Sequence, residues 1–129
     1  MDNVKNKKKV LIVDDNSNLV TVLVDKFSAS GFEAMGAVDG EDGLKKALEF
    51  RPDIILLDLV MPVMDGLEML KRLRTDEWGK GAKVMVLTVL DEPTHIANAM
   101  DSNVLGYIVK TDFSLDGIVK EIQDVFKAV

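Results

Sequence analysis

The sequence has no cysteine, which excludes disulfides, thiolate metal sites and a thiol nucleophile, and suits a reducing compartment. No apolar run approaches the length of a membrane span, and no signal-peptide core follows the N-terminal lysines, so the cytoplasm is the expected location. Basic residues are in deficit, sixteen against twenty-two acidic, for a net charge of −6. That balance argues against a broad nucleic-acid footprint, which needs a basic face. The one basic cluster, Lys5 to Lys9, reads as a solvated N-terminal arm. The single histidine, His95, reads as a surface residue. There is no internal repeat, no low-complexity tract and no linker, and no output domain is expected beyond the last helix.

What remains is a chain of 129 residues, 47% hydrophobic and 29% charged, enough for one domain with one sizeable core. Two short β-branched runs, Val10–Val13 and Ile54–Leu57, fit buried strands, and each ends abruptly in carboxylate: Asp14-Asp15 after the first, Asp58 after the second. Three carboxylates at one sheet edge repel unless a hard cation lies between them, and oxygen ligands are what Mg²⁺ prefers.

A βα alternation repeats five times. Strands are predicted at Lys9–Val13, Glu33–Val38, Asp53–Leu57, Lys83–Thr88 and Leu105–Lys110. Helices are predicted at about Ser17–Ser30, with Gly31 as its stop, at Glu41–Phe50, ended by Arg51-Pro52, and at Gly66–Arg74. A short fourth helix should open at Pro93, and a fifth should run from an N-cap at Ser114 to Phe126. This alternation implies a parallel sheet with helices on both faces and right-handed crossovers. In such sheets ligands bind at the carboxyl ends of strands. The residues there are Asp14, Asp15, Asp58, Thr88 and Lys110, all with polar groups useful to a phosphoryl oxygen or its metal.

With Val-Asp-Asp (13–15), Asp58-Leu-Val-Met-Pro-Val-Met-Asp-Gly66, Thr88 and Gly106-Tyr-Ile-Val-Lys110, the chain resembles the CheY-like receiver domains of two-component response regulators, over residues 8–127. The resemblance implies a flavodoxin-like doubly wound (βα)5 fold with strand order 2-1-3-4-5. It also implies a single stand-alone receiver over 1–129, with 1–8 as the arm. Asp58 would be the phospho-acceptor, a carboxylate nucleophile towards a phosphohistidine or a small acyl phosphate. Mg²⁺ would be held by Asp15, Asp58 and the Val60 carbonyl, with Asp14 acting through water. Thr88 and Lys110 would serve the phosphoryl oxygens, Tyr107 would be the aromatic switch, and positioning and charge neutralisation would carry the catalysis. The implied partners are a sensor histidine kinase or phosphotransfer protein, and a downstream protein on the face of the fourth helix, fifth strand and fifth helix. No direct contact with nucleic acid or membrane is implied.

Two positions depart from the family pattern, Thr111 and Val89, and two variable ones, Val60 and Leu90, are apolar here. Many receivers follow the lysine with a proline in cis, and Thr111 stands here; a cis bond before a non-proline residue costs ~3–4 kcal/mol, so the loop is either trans or strained. Val89 is bulkier than the small residue common after the threonine. Val60 and Leu90 place apolar groups beside the route to phosphorus, which predicts slow loss of the phosphoryl group.

Blander readings and other functions compete with these roles. Asp15 or Asn16 could cap the first helix, Asp58 could simply begin a turn, Thr88 suits a strand end, Lys110 could be a surface cation, and Tyr107 suits a half-buried strand. Trp78 reads as a partial hydrophobic cover. Asp39–Gly43 has the wrong spacing for a calcium loop. A haloacid-dehalogenase-like phosphatase usually carries a second aspartate where Val60 stands, and flavin binding lacks its phosphate cradle after the first strand. A scaffold that binds partners without phosphorylation keeps all five residues without using them.

Overall fold

The computed structural model describes residues 7–61, 64–88 and 103–127. The predicted fourth helix, with His95, Val89 and Leu90, lies outside the described residues, as do residues 1–6 of the arm. Five strands, β1 (Lys9–Val13), β2 (Glu33–Ala37), β3 (Ile54–Leu57), β4 (Val84–Thr88) and β5 (Gly106–Val109), form one parallel sheet in the order β2-β1-β3-β4-β5. The described helices are α1 (Ser17–Ala29), α2 (Gly40–Phe50), α3 (Gly66–Arg74) and the C-terminal helix (Leu115–Lys127). This is the doubly wound architecture expected from the βα alternation, in the strand order that the resemblance implies.

The central strands β1, β3 and β4 are apolar because both their faces are covered. Val10, Ile12, Ile54, Leu56 and Leu87 turn towards α1 and the C-terminal helix, packing on Leu23, Phe27, Ile118 and Ile122. Leu11, Val13, Ile55, Leu57 and Val86 turn the other way, onto Ala47 of α2 and Met69, Leu70 and Leu73 of α3. Trp78 lies partly buried against this second layer, a cover as expected. Full burial of each large aliphatic chain contributes roughly 1.5–3 kcal/mol, so the two layers hold the strands in fixed register.

Helix ends follow local chemistry. Asn16, Asp39 and Asp65 cap α1, α2 and α3, each accepting a backbone N–H three residues on, from Leu19, Asp42 and Glu68 at 3.1, 2.7 and 2.9 Å. Ser114 caps the C-terminal helix through Gly117 N–H at 3.0 Å. The cap at Asp39 gives the Asp39–Gly43 segment a structural purpose in place of calcium. Gly31, at φ +94°, ends α1 in a conformation that side chains resist.

The strands are trimmed relative to expectation. β5 spans Gly106–Val109, not Leu105–Lys110, because its partner β4 ends at Thr88, opposite Val109. Lys110 therefore opens a short 3₁₀ turn, Lys110–Asp112. No cis peptide bond occurs among the described residues, so the Lys110–Thr111 bond is trans.

Candidate functional site

Register decides where the acidic residues meet. Val13 pairs with Leu57, so Asp14 and Asp58 follow at the same level of adjacent strands. Asp58 N–H donates to the Val13 carbonyl at 2.9 Å and Asp14 N–H to that of Ala37 at 3.1 Å, which extends the ladder through both aspartates. Both residues are nearly inaccessible, with Asp14 0% and Asp58 5% exposed.

Each carboxylate is fixed by the backbone two residues on, a turn typical of aspartate. Asp14 Oδ1 accepts Asn16 N–H at 2.9 Å, and Asp58 Oδ1 accepts Val60 N–H at 3.1 Å. In both residues the other oxygen faces Lys110, whose Nζ pairs with Asp14 Oδ2 and lies 3.5 Å from Asp58 Oδ2. Asn16 supplies the helix cap, which leaves the exposed Asp15 without that duty. Carboxylate oxygens of Asp14, Asp15 and Asp58 lie within 4.8 Å of one another.

Burial raises the Asp58 carboxyl from 3.8 to about 6. The Val60 N–H and the Lys110 charge oppose that rise, and the Asp14 and Asp15 charges reinforce it. A further cation would relieve this crowding. Asp14 Oδ2 is buried and receives no hydrogen bond of regular geometry, so it retains capacity for such an ion. An all-oxygen set of three carboxylates fits a hard divalent cation.

Thr88 ends β4, 3% exposed, next to the strand that delivers Lys110. Tyr107, opposite Val86 on β5, is 46% exposed, so its ring stands on the solvent side. Val60 is 47% exposed beside Asp58. The sheet thus brings Asp14, Asp15, Asp58 and Lys110 into one cluster, with Thr88 at the same edge and Tyr107 outside it.

Gly66 was legible in the sequence only as part of a motif. A Cβ there would lie 2.2 Å from the Asp58 carbonyl oxygen and 2.7 Å from Leu59 Cα, while Gly66 N–H donates to the Leu59 carbonyl at 3.0 Å. The start of α3 is therefore pressed directly onto the backbone that carries Asp58. Gly40 does the same at α2, where a Cβ would lie 2.3 Å from the Met64 carbonyl oxygen. The available signal was an Asp-Gly pair opening each helix (Asp39-Gly40 and Asp65-Gly66), a cap followed by a residue without a side chain.

The family model of the response regulator receiver domain matches residues 10–123. The chain belongs to that family. Among curated relatives, the alkaline phosphatase synthesis transcriptional regulatory protein PhoP of Bacillus subtilis is 41% identical over 85 residues, covering 66% of this chain and 35% of PhoP. The transcriptional regulatory protein PrrA of Mycobacterium leprae is 32% identical over 127 residues, covering 98% of this chain and 53% of PrrA. The receiver thus spans between a third and about half of these relatives. The solved structure of the Vibrio cholerae chemotaxis protein CheY4 matches with a TM-score of 0.84 at 31% identity, covering 92% of this chain and 98% of CheY4. Other relatives are named as DNA-binding, MtrA among them, at 45% coverage of that protein by this one; DNA binding is a property of those proteins. No described helix of the receiver is long and apolar enough to cross a membrane.

Proposed function

We propose that this receiver is a phosphorylation switch in which Asp58 accepts a phosphoryl group from a sensor histidine kinase, a phosphotransfer protein or a small acyl phosphate. The observation that carries the reading is the buried Asp58 carboxylate, held by Val60 N–H, with one oxygen turned towards Lys110 and two more carboxylates beside it. An Asp58 oxygen forms a bond to phosphorus as the donor's P–N or P–O bond breaks, giving an aspartyl phosphate and releasing the donor histidine or carboxylate. Lys110 then turns its charge from Asp14 to the phosphoryl oxygens, and Thr88 donates a hydrogen bond to one of them. The chain catalyses its own modification by positioning and charge, without covalent machinery beyond Asp58.

Asp15, Asp58 and the Val60 carbonyl would hold Mg²⁺, with Asp14 acting through water; the ion would supply neutralisation of the phosphoryl charge. Residues 1–129 act as one receiver domain, with 1–8 as its arm, and the cytoplasm, usual for response regulators, is the place of action. Drawing Thr88 towards phosphorus frees space into which the exposed Tyr107 ring turns, shifting a pre-existing equilibrium. The surface that changes is formed by β5, the C-terminal helix and the predicted fourth helix, and a downstream protein reads it. Nucleic acid and membrane take no direct part.

Incubation with acyl phosphate and Mg²⁺, followed by intact mass, should show addition of one phosphate, mapped to Asp58. Turnover without an adduct would favour a phosphatase, and no reaction a scaffold. Asp15→Asn should lower Mg²⁺ binding and phosphate uptake by roughly 100-fold or more, the scale on which losing one charge-stabilising group acts. Normal uptake by that variant would remove Asp15 from the site.

Thr88→Ala and Lys110→Ala should separate chemistry from switching. Thr88 contributes one hydrogen bond to the phosphoryl group, so uptake should persist while the Tyr107 response weakens. Lys110 contributes a charge, and its loss should impair coupling more severely. Tyr107 ring resonances, with and without a phosphoryl mimic, distinguish the two; wild-type shifts in both variants would refute this division.

A further inference from the structure

The basic cluster that phosphoryl chemistry leaves unused meets the other end of the sheet. Lys7 and Lys8 lead into β1 and lie beside Lys127, around an open cavity of about 510 Å³ floored by Phe32 and Phe126 and edged by Gln123. Lys8 Nζ stands 5.3 Å from the centre of the Phe126 ring, and the Phe32 and Phe126 rings are 6.2 Å apart. Lys8 precedes β1 and Asp14 follows it, so the cavity and the acidic cluster are separated by about 20 Å at ~3.3 Å per strand residue.

We propose that this cavity is a docking site for an acidic peptide segment of a protein partner, with one aromatic or large aliphatic side chain seated on the floor that the two phenylalanines form. Charge selects the occupant. The chain carries a net −6 and repels an acidic segment over most of its surface, whereas three lysines ring this mouth and, among the described residues, no carboxylate lines it. The cavity is wide enough for a large side chain and its backbone, and the rings supply the apolar contact that an ion alone does not need.

A compact phosphate suits the site less well. α1 and the C-terminal helix both present their carboxyl ends here, at Ala29 and Lys127, so the local dipoles are negative and favour N–H donors. A peptide brings such donors together with carboxylates for the lysines. Because the cavity lies at the far end of the sheet from Asp58, a partner docked there leaves the acceptor open. Docking there and phosphorylation of Asp58 can therefore occur together.

The test uses a fluorescein-labelled peptide of four acidic residues around one tryptophan, titrated into the whole chain by fluorescence anisotropy. Binding should weaken steeply as salt rises and fall by at least about tenfold in the Lys8→Glu/Lys127→Glu variant. It should be unchanged in Asp58→Asn, and amide shifts should centre on Gly31, Phe32 and Gln123. Replacing the tryptophan by serine should weaken binding, which tests the apolar seat without altering the protein. Inorganic phosphate, a nucleotide or anionic vesicles competing as well as the peptide would overturn the assignment. Equal binding by the charge-reversed variant, or shifts centred on the acidic cluster, would overturn it too.

Discussion

Asp58→Asn is expected to abolish phosphoryl uptake and, in metal-free buffer at neutral pH, to make the fold more stable. The carboxyl titrates at about 6 in the folded chain, against 3.8 as an ordinary aspartate, chiefly because it is buried. The folded state therefore holds this proton more tightly than the unfolded state does. Stability from Asp58 is greatest below the ordinary value, is lost as pH rises from about 4 through about 6, and is flat above that. The ionised side chain costs the fold on the order of 2–3 kcal/mol above pH 6, and an amide at this position avoids that cost. Asparagine keeps an oxygen for Val60 N–H, and Lys110 keeps Asp14. Urea unfolding with chelator present should give the variant a higher midpoint than wild type at pH 7.5, with the gap closing near pH 4.5. A variant less stable than wild type at pH 7.5 would show that the Lys110 pairing outweighs burial.

That stability is surrendered at the site explains why the site was so legible. Strand chemistry alone would continue Val10–Val13 and Ile54–Leu57 with something apolar; the sequence breaks that pattern with carboxylates, which need a reason beyond the fold. The core was legible for the opposite reason, because each β-branched run and each helical stripe agrees with its neighbours. The bounds of α3 match those predicted, Gly66–Arg74, directly after the motif that carries Asp58.

Other features needed three dimensions. Asp15 and Asn16 are equivalent candidates for capping α1, and only the geometry assigns the cap to Asn16 and leaves Asp15 to the cluster. The ends of β5 depend on where β4 stops, a fact about another segment. Arg74 carried no signal beyond closing a helix. Its guanidinium donates to the carbonyls of Gly79, Ala82 and Asn103 at 2.7, 2.8 and 3.0 Å, tying α3 to the approaches of β4 and β5. Gly79 opens a short 3₁₀ turn, Ala82 follows it and Asn103 precedes β5, and no local pattern announces the three together.

Gly66→Ala should be among the most damaging single changes in the chain, although no exposed surface and no charge is altered. In an ordinary helix interior this substitution gains up to about 1 kcal/mol, because alanine has the better helix propensity. Here the sign reverses. The added Cβ would fall 2.2 Å from the Asp58 carbonyl oxygen and 2.9 Å from its carbonyl carbon, both backbone atoms that cannot rotate away. The backbone conformation itself is not at fault, since Gly66 is not among the positive-φ residues. Either α3 lifts from the sheet, uncovering Met69 and Leu70, or the Asp58–Val60 backbone shifts and carries the proposed acceptor carboxylate out of line with Lys110. Overpacking of this kind costs typically 1–3 kcal/mol, and the rigid neighbour puts Gly66→Ala at the upper end, about 3 kcal/mol. Gly81→Ala is the matched control: it has nothing within 4 Å of the added atom, and it should stay within about 0.5 kcal/mol of wild type. Urea unfolding compares the two, and phosphate uptake at matched folded fraction then reads the site. If Gly66→Ala is as stable as wild type and takes up phosphate normally, the contact with Asp58 constrains neither the fold nor the acceptor. A stable variant with slow uptake would locate the strain in the loop, with the helix still seated on the sheet.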